Sequence, residues 1–132
     1  MKKIITSKNA PVPIGPYSQA VLTGNTLYVS GQVGKNAASG ELILGDIKSE
    51  TKQVMENVQA ILTEAGMDFT HVVKTTIFLT DMNNFAIVNE MYGSFFKNDL
   101  PAGQAGFPAR ETVQVSKLPL NVNVEISVIA VK

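Results

Sequence analysis

The 132-residue chain carries 11 lysines and arginines against 11 aspartates and glutamates, a formal net charge of zero at pH 7. Such a balance lacks the basic face that nucleic-acid binding requires. Without cysteine there is no disulfide framework and no thiol nucleophile, and with His71 as the one histidine a transition-metal site would rest almost wholly on carboxylates. Hydrophobic residues make up 45% and charged residues 17%, which describes a single globular domain with room for a proper core. No apolar run approaches a membrane span or a signal-peptide core, so the expected setting is soluble and cytoplasmic.

Residues 9–16 hold three prolines and a glycine, a stiffened irregular loop. Tyr17–Leu22 and Leu27–Val33 read as two strands joined by the turn Thr23-Gly-Asn-Thr26, a hairpin pattern. Gly31 interrupts the second strand, which signals a bulge or a close approach to the backbone. A polar loop over 34–45 leads to Asp46, a suitable N-cap for a helix over 47–65 that stops at Gly66. Ile47, Thr51, Val54, Val58, Ile61, Leu62 and Ala65 recur at helical spacing on one face, with Lys48, Lys52, Glu56 and Glu64 on the other. Residues 71–80 are β-branched and strand-like; His71 at their start reads as an edge residue. Asp81 caps a second helix over 83–97, whose Phe85, Val88, Met91, Tyr92, Phe95 and Phe96 form an aromatic core face with Asn89 off its centre. After a loop over 97–109, strands are expected at 110–116 and 121–131.

Two charges stand out. Arg110 is the one arginine in the chain, and Glu125 is the sole charged residue between Leu118 and Val131. An arginine fork grips a carboxylate bidentately. A carboxylate inside an apolar strand needs a partner or a task. Either the two pair with each other or they reach solvent, or they mark a site. Alternation places Val122, Val124, Ile126, Val128 and Ala130 on one face of the last strand and Asn123, Glu125 and Ser127 on the other. In the strand before it, Val113 and Val115 point one way, and Arg110, Thr112, Gln114 and Ser116 the other. One apolar sheet face under two helices, and one face of small polar groups, suggest a subunit interface on the polar side.

The element order β-β-α-β-α-β-β, together with Ile14-Gly-Pro-Tyr-Ser-Gln-Ala20, Val29-Ser-Gly-Gln32, Val73-Lys-Thr-Thr76, Leu79-Thr-Asp81, Val88-Asn-Glu90 and Pro108-Ala-Arg110 with Val113 and Val115, closely resembles the RidA/YjgF family of reactive-intermediate deaminases. The likeness runs from about residue 8 to 131 and rests on the combined motifs. It implies a chorismate-mutase-like α+β fold, with two helices packed on one face of the sheet, and a homotrimer with ligand clefts between subunits. It also implies hydrolysis of small enamino and imino acids released by pyridoxal-phosphate enzymes, such as 2-aminoacrylate and 2-iminobutanoate, to 2-keto acids and ammonia, with no cofactor and no metal. By the same resemblance Arg110 holds the substrate carboxylate and Glu125 activates water, while Tyr17, Ser30, Gly31, Asn89 and Thr112 line the cleft. Thr112 stands where many relatives have a cysteine, so thiol chemistry is excluded at that position.

The loop before Arg110 is longer than the family's usual pattern, with Pro101–Gly106 as the added segment; it is expected to project outward and move, since surface-loop length costs little. Two other readings compete with the enzyme: a trimer that binds small carboxylates without turnover, and a ribonuclease or translation inhibitor. Glu125 argues against the first, because a carboxylate binder gains nothing from an anion facing its ligand. Neutral charge and the single arginine argue against the second.

Overall fold

The computed structural model describes residues 1–96 and 106–132. Six strands form one sheet in the order β1-β2-β3-β6-β4-β5, and two α-helices cover one of its faces. The strands are β1 (Lys2–Ile5), β2 (Ala20–Thr23), β3 (Thr26–Gln32), β4 (Val72–Leu79), β5 (Ala109–Gln114) and β6 (Val124–Val131). Neighbours run antiparallel except β4 and β5, which are parallel.

The β2–β3 turn has two residues, and its Gly24 sits at φ +57° while Asn25 does not share that conformation, as a II′ hairpin requires. β1 is an addition to the expected order. Its Lys-Lys-Ile-Ile sequence is too short to show a pattern, and it becomes a strand by pairing with β2 from Lys2↔Thr23 to Ile5↔Ala20. β2 in turn begins later than expected. Tyr17–Gln19 leave the sheet because the buried Gln19 amide serves the proline loop, donating to the carbonyls of Ser7, Ala10 and Pro11 and accepting the Ser7 N–H.

Helix α1 (Ile47–Glu64) starts where Asp46 accepts the N–H groups of Lys48 and Ser49. It ends in a Schellman turn: Met67 N–H reaches the Leu62 carbonyl, Gly66 N–H reaches that of Thr63, and Gly66 takes φ +72°. Val54, Met55, Val58, Ile61 and Leu62 are completely buried against β6 and β3, each contributing about 1.5–3 kcal/mol of burial. Their counterparts on the sheet are Leu27, Ile77, Leu79, Val124, Ile126, Val128 and Ala130. The even positions of β6 are buried and the odd ones partly exposed, as alternation predicts.

Helix α2 (Phe85–Gly93) is shorter than the 83–97 expected, and a 3-10 turn over Met82–Asn84, capped by Asp81, precedes it. Two asparagines before it and a glycine at its end are weak helix formers. Val88, Tyr92 and Phe96 are buried, and Phe69 meets Phe95 and Phe96 edge-on. His71 is structural: it accepts the Asp68 N–H through Nδ1 and completes the capping box of a short turn before β4. The expected outward loop, Pro101–Gly106, lies outside the described residues except for Gly106.

Candidate functional site

The bulge in β3 sets the first half of the site. Between Val29↔Val128 and Gln32↔Ile126 the strand carries one residue more than β6, so Ser30 and Gly31 are pushed out of the ladder. Gly31 also meets the second expectation held for it. A Cβ there would lie 2.5 Å from Glu125 Oε2 and 2.6 Å from its Cδ, so the carboxylate rests directly on bare backbone. Ser30 is spent locally, its hydroxyl donating to the Ser18 carbonyl at 2.6 Å. Tyr17 accepts the Ile14 N–H at 3.3 Å and remains half exposed.

Tyr17, Ser30, Gly31 and Glu125 line one cavity of about 320 Å³, together with Ile14, Val33, Pro119 and Leu120. Burial pushes the Glu125 carboxyl above its ordinary 4.5, because desolvation penalises the charged form. Among the described residues no hydrogen bond reaches this carboxylate.

Arg110 belongs to a second cavity of about 290 Å³, with Asn89, Tyr92, Gly93, Phe107 and Pro108. Its guanidinium lies 5.1 Å from the Tyr92 ring centre and 5.7 Å from that of Phe85, stacked in cation–π contact. Tyr92 is fixed in turn by donating to Thr75 Oγ1 at 2.9 Å, and burial pushes its phenol up. No ion pair to Arg110 is formed among the described residues, and two buried acceptors, Asn89 Oδ1 and Thr112 Oγ1, have no hydrogen-bond partner there.

The two halves lie on opposite faces of the sheet. Arg110 is in register with Thr75 of β4, which faces the helices, whereas Glu125 is in register with Phe78, which faces away from them. This corrects the sequence reading of β5. Alternation alone groups Arg110, Thr112 and Gln114 with the open face and Val113 with the core. In the fold Gln114 caps the turn before α2 by accepting the Met82 N–H, and Val113 is exposed on the open side. The reason is that β5 is an edge strand beside α2, not under α1, so its inner side meets a helix with polar and aromatic groups. Arg110 and Glu125 therefore do not pair, and one copy of the chain does not bring them onto one small molecule.

One buried polar residue that frames the site was not singled out from sequence. Glu50, completely buried, accepts the Asn123 N–H and side-chain amide at 2.8 Å each and the Val124 N–H at 3.2 Å. It pins the start of β6, and hence Glu125, to α1. A Cβ on Gly34 would lie 2.7 Å from Glu50 Cγ, so that glycine too makes room for a glutamate. The signal was present: Ile47, Glu50, Thr51 and Val54 share one helix face at i, i+3, i+4, i+7. Among the described residues no three His, Cys, Asp or Glu side chains cluster as metal ligands, and no helix is long and apolar enough to cross a membrane.

Residues 7–132 match the family described as endoribonuclease L-PSP, which is the RidA/YjgF family. The chain belongs to this family. It is 48% identical over 132 residues to the 2-iminobutanoate/2-iminopropanoate deaminase of Bos taurus, covering all of this chain and 91% of that one. The RutC family protein PH0854 of Pyrococcus horikoshii is 47% identical, with 100% and 99% covered. In structure the chain superimposes on Escherichia coli TdcF with bound serine at TM-score 0.89 and 41% identity, covering 98% of each chain. The resemblance read from the RidA/YjgF motifs and the α+β fold it implied are both borne out.

Proposed function

We propose that the protein hydrolyses short 2-imino acids, the tautomers of the enamines named above, to 2-oxo acids and ammonia, at sites completed by a second copy of the chain in a homotrimer. Arg110 of one copy would hold the substrate carboxylate as a fork, and Glu125 of the neighbour would face the imine carbon. The observation that carries this reading is the division itself: among the described residues Arg110 meets no carboxylate and the Glu125 carboxylate meets no donor, and each opens into its own cavity on opposite faces of one sheet. The deaminase names of relatives 45–48% identical over the whole chain support it.

The chemistry asks little of the protein. The carbon of a protonated imine is already electrophilic, so no cofactor is needed to activate it. Glu125 takes a proton from water as the oxygen attacks that carbon, giving a tetrahedral amino alcohol. It then returns the proton to nitrogen, the C–N bond breaks, ammonia leaves, and the hydroxyl loses its proton to become the carbonyl. A carboxyl raised by burial is both a stronger base and a better proton carrier for these two transfers. Asn89 brings its amide to the Arg110 cavity and Thr112 its hydroxyl two residues along β5, while Tyr17, Ser30 and Gly31 shape the wall around Glu125.

The test is subunit mixing. Assayed well below the native KM, Arg110→Ala and Glu125→Gln are each expected to lose most imine hydrolysis. Co-refolded in equal amounts they should regain about a quarter of native turnover, the share of interfaces in a random cyclic assembly that join two intact residues. No recovery from well-formed mixed oligomers would overturn the shared site. Loss of neither activity would overturn the roles of both residues.

A further inference from the structure

The cavity of Glu125 has a wall that no part of this mechanism uses. Leu120 and Asn121 both adopt left-handed backbone, at φ 59° and φ 58°. That conformation crowds the Cβ of any residue but glycine, and a branched side chain tolerates it worse than asparagine does. The surroundings hold it in place. Leu118 and Val122 are buried on either side, Asn121 and Val122 donate back to the carbonyls of Leu118 and Pro119, and Glu50 fixes the next two N–H groups. Leu120 itself contributes nothing to the core: 42% of it is exposed. Its side chain borders the Glu125 cavity together with Ile14 and Val33, and it also borders the smaller cleft beside Tyr17 and Gly31.

The polar and apolar linings divide the work. Glu125 and the bare backbone at Gly31 stand where the reacting carbon must come, while Ile14, Val33 and Leu120 offer nothing to a charge or a hydrogen bond. With the substrate carboxylate directed to Arg110, the remaining substituent on the imine carbon is the amino-acid side chain, and an apolar wall suits it. We infer that Leu120, held in a left-handed turn, is a specificity-determining residue that limits the size of the apolar side chain on the imino acid. The inference rests on the deaminase reading.

The experiment supplies imines from an L-amino-acid oxidase acting on alanine, 2-aminobutyrate, leucine and phenylalanine. It measures kcat/KM for the native protein, Leu120→Ala and Leu120→Phe. The readout is the ratio of the leucine-derived to the alanine-derived imine. It should rise about tenfold in Leu120→Ala and fall in Leu120→Phe, the scale on which a few methylenes matter in an apolar pocket. Thermal melts identify any variant that fails to fold, and Leu120→Gly, which removes the backbone crowding, should melt higher than native. Ratios within about twofold of native in both Leu120→Ala and Leu120→Phe would overturn the inference. A native protein that hydrolyses none of the imines would instead strike the deaminase reading. The same ratio is then read from calorimetric affinities for the matching 2-oxo acids, and an unchanged ratio there overturns the role of Leu120 in binding as well.

Discussion

The two cavities are built on different physical terms, although both are small and both hold one charge. The Arg110 cavity is a stacked site. A guanidinium lies over two aromatic rings, one of which is tied to Thr75, and among the described residues the side-chain oxygens of Asn89 and Thr112 have no hydrogen-bond partner. The Glu125 cavity is a desolvated site. An anion is pressed against a glycine with no donor among the described residues, and its proton affinity rises as a result. On the proposed reading the first binds the substrate carboxylate and the second accepts and gives back a proton. A single function that uses both must separate recognition from chemistry, and that separation can be broken one half at a time.

The largest effect is expected at the chemical half. Glu125→Gln keeps size and polarity but removes the base, so kcat should fall by about 10²–10⁴ while affinity for a 2-oxo acid is retained or improved. Steady-state kinetics beside calorimetry decide this, and equal loss of binding and turnover would sink the division. Arg110→Ala should reverse the pattern. On the proposed reading it removes a bidentate contact to the substrate carboxylate worth about 1.5–3 kcal/mol, which should raise KM by one to two orders of magnitude and weaken 2-oxo acid binding in parallel. If kcat fell and KM held, Arg110 would belong to the chemistry instead.

How much of this the sequence disclosed follows from which interactions are local. The hairpin turn at Gly24, the Asp46 cap and the Gly66 stop each depend on residues a few positions apart, and all three were legible. So was the alternation of β6, because a whole helix covers one side of it. β1 was not, since four residues acquire strand character only from the edge of β2. The facing of β5 was misread because alternation says which residues share a side but not what covers that side. Among site residues, Arg110 and Glu125 were conspicuous as charges without local partners. Leu120 was not, because a left-handed turn at Leu-Asn has no composition signal comparable to Asn-Gly. Glu50 hid among the charges of an amphipathic helix.

Gly31 offers a sharper cut within the chemical half. Gly31→Ala places a methyl 2.5 Å from Glu125 Oε2 and 2.9 Å from its Cγ, and the obstacle is a movable side chain, not backbone. The fold should survive while the carboxylate swings away by about 1 Å, costing up to about 10²-fold in kcat. In the Glu125→Gln background the same substitution should cost little more, because both changes strike one group. Independent, multiplicative losses would mean that Gly31 acts by itself, through backbone approach to the ligand.

The smallest effect separates the halves without any substrate. Burial raises the Glu125 carboxyl above 4.5, so the folded state holds that proton more tightly than the unfolded chain does. Below 4.5 both states are protonated and burial exacts no ionic penalty. As pH rises above 4.5 the unfolded chain ionises first, and native stability declines with pH until the folded carboxyl has ionised as well. Glu125→Gln removes this dependence. Its melting temperature should exceed native by about 1–2 °C near neutral pH, and the gain should shrink to nothing on the acid side. Arg110 lies on the other face of the sheet from Glu125, so whatever Arg110→Ala costs in stability should be the same at both ends. A gain for Glu125→Gln that persisted unchanged in acid would mean that the glutamine packs better, and the account of Glu125 as a desolvated base would lose its support. A gain that vanishes there, beside a flat profile for Arg110→Ala, leaves the proton of Glu125 as the one titrating difference between the two cavities.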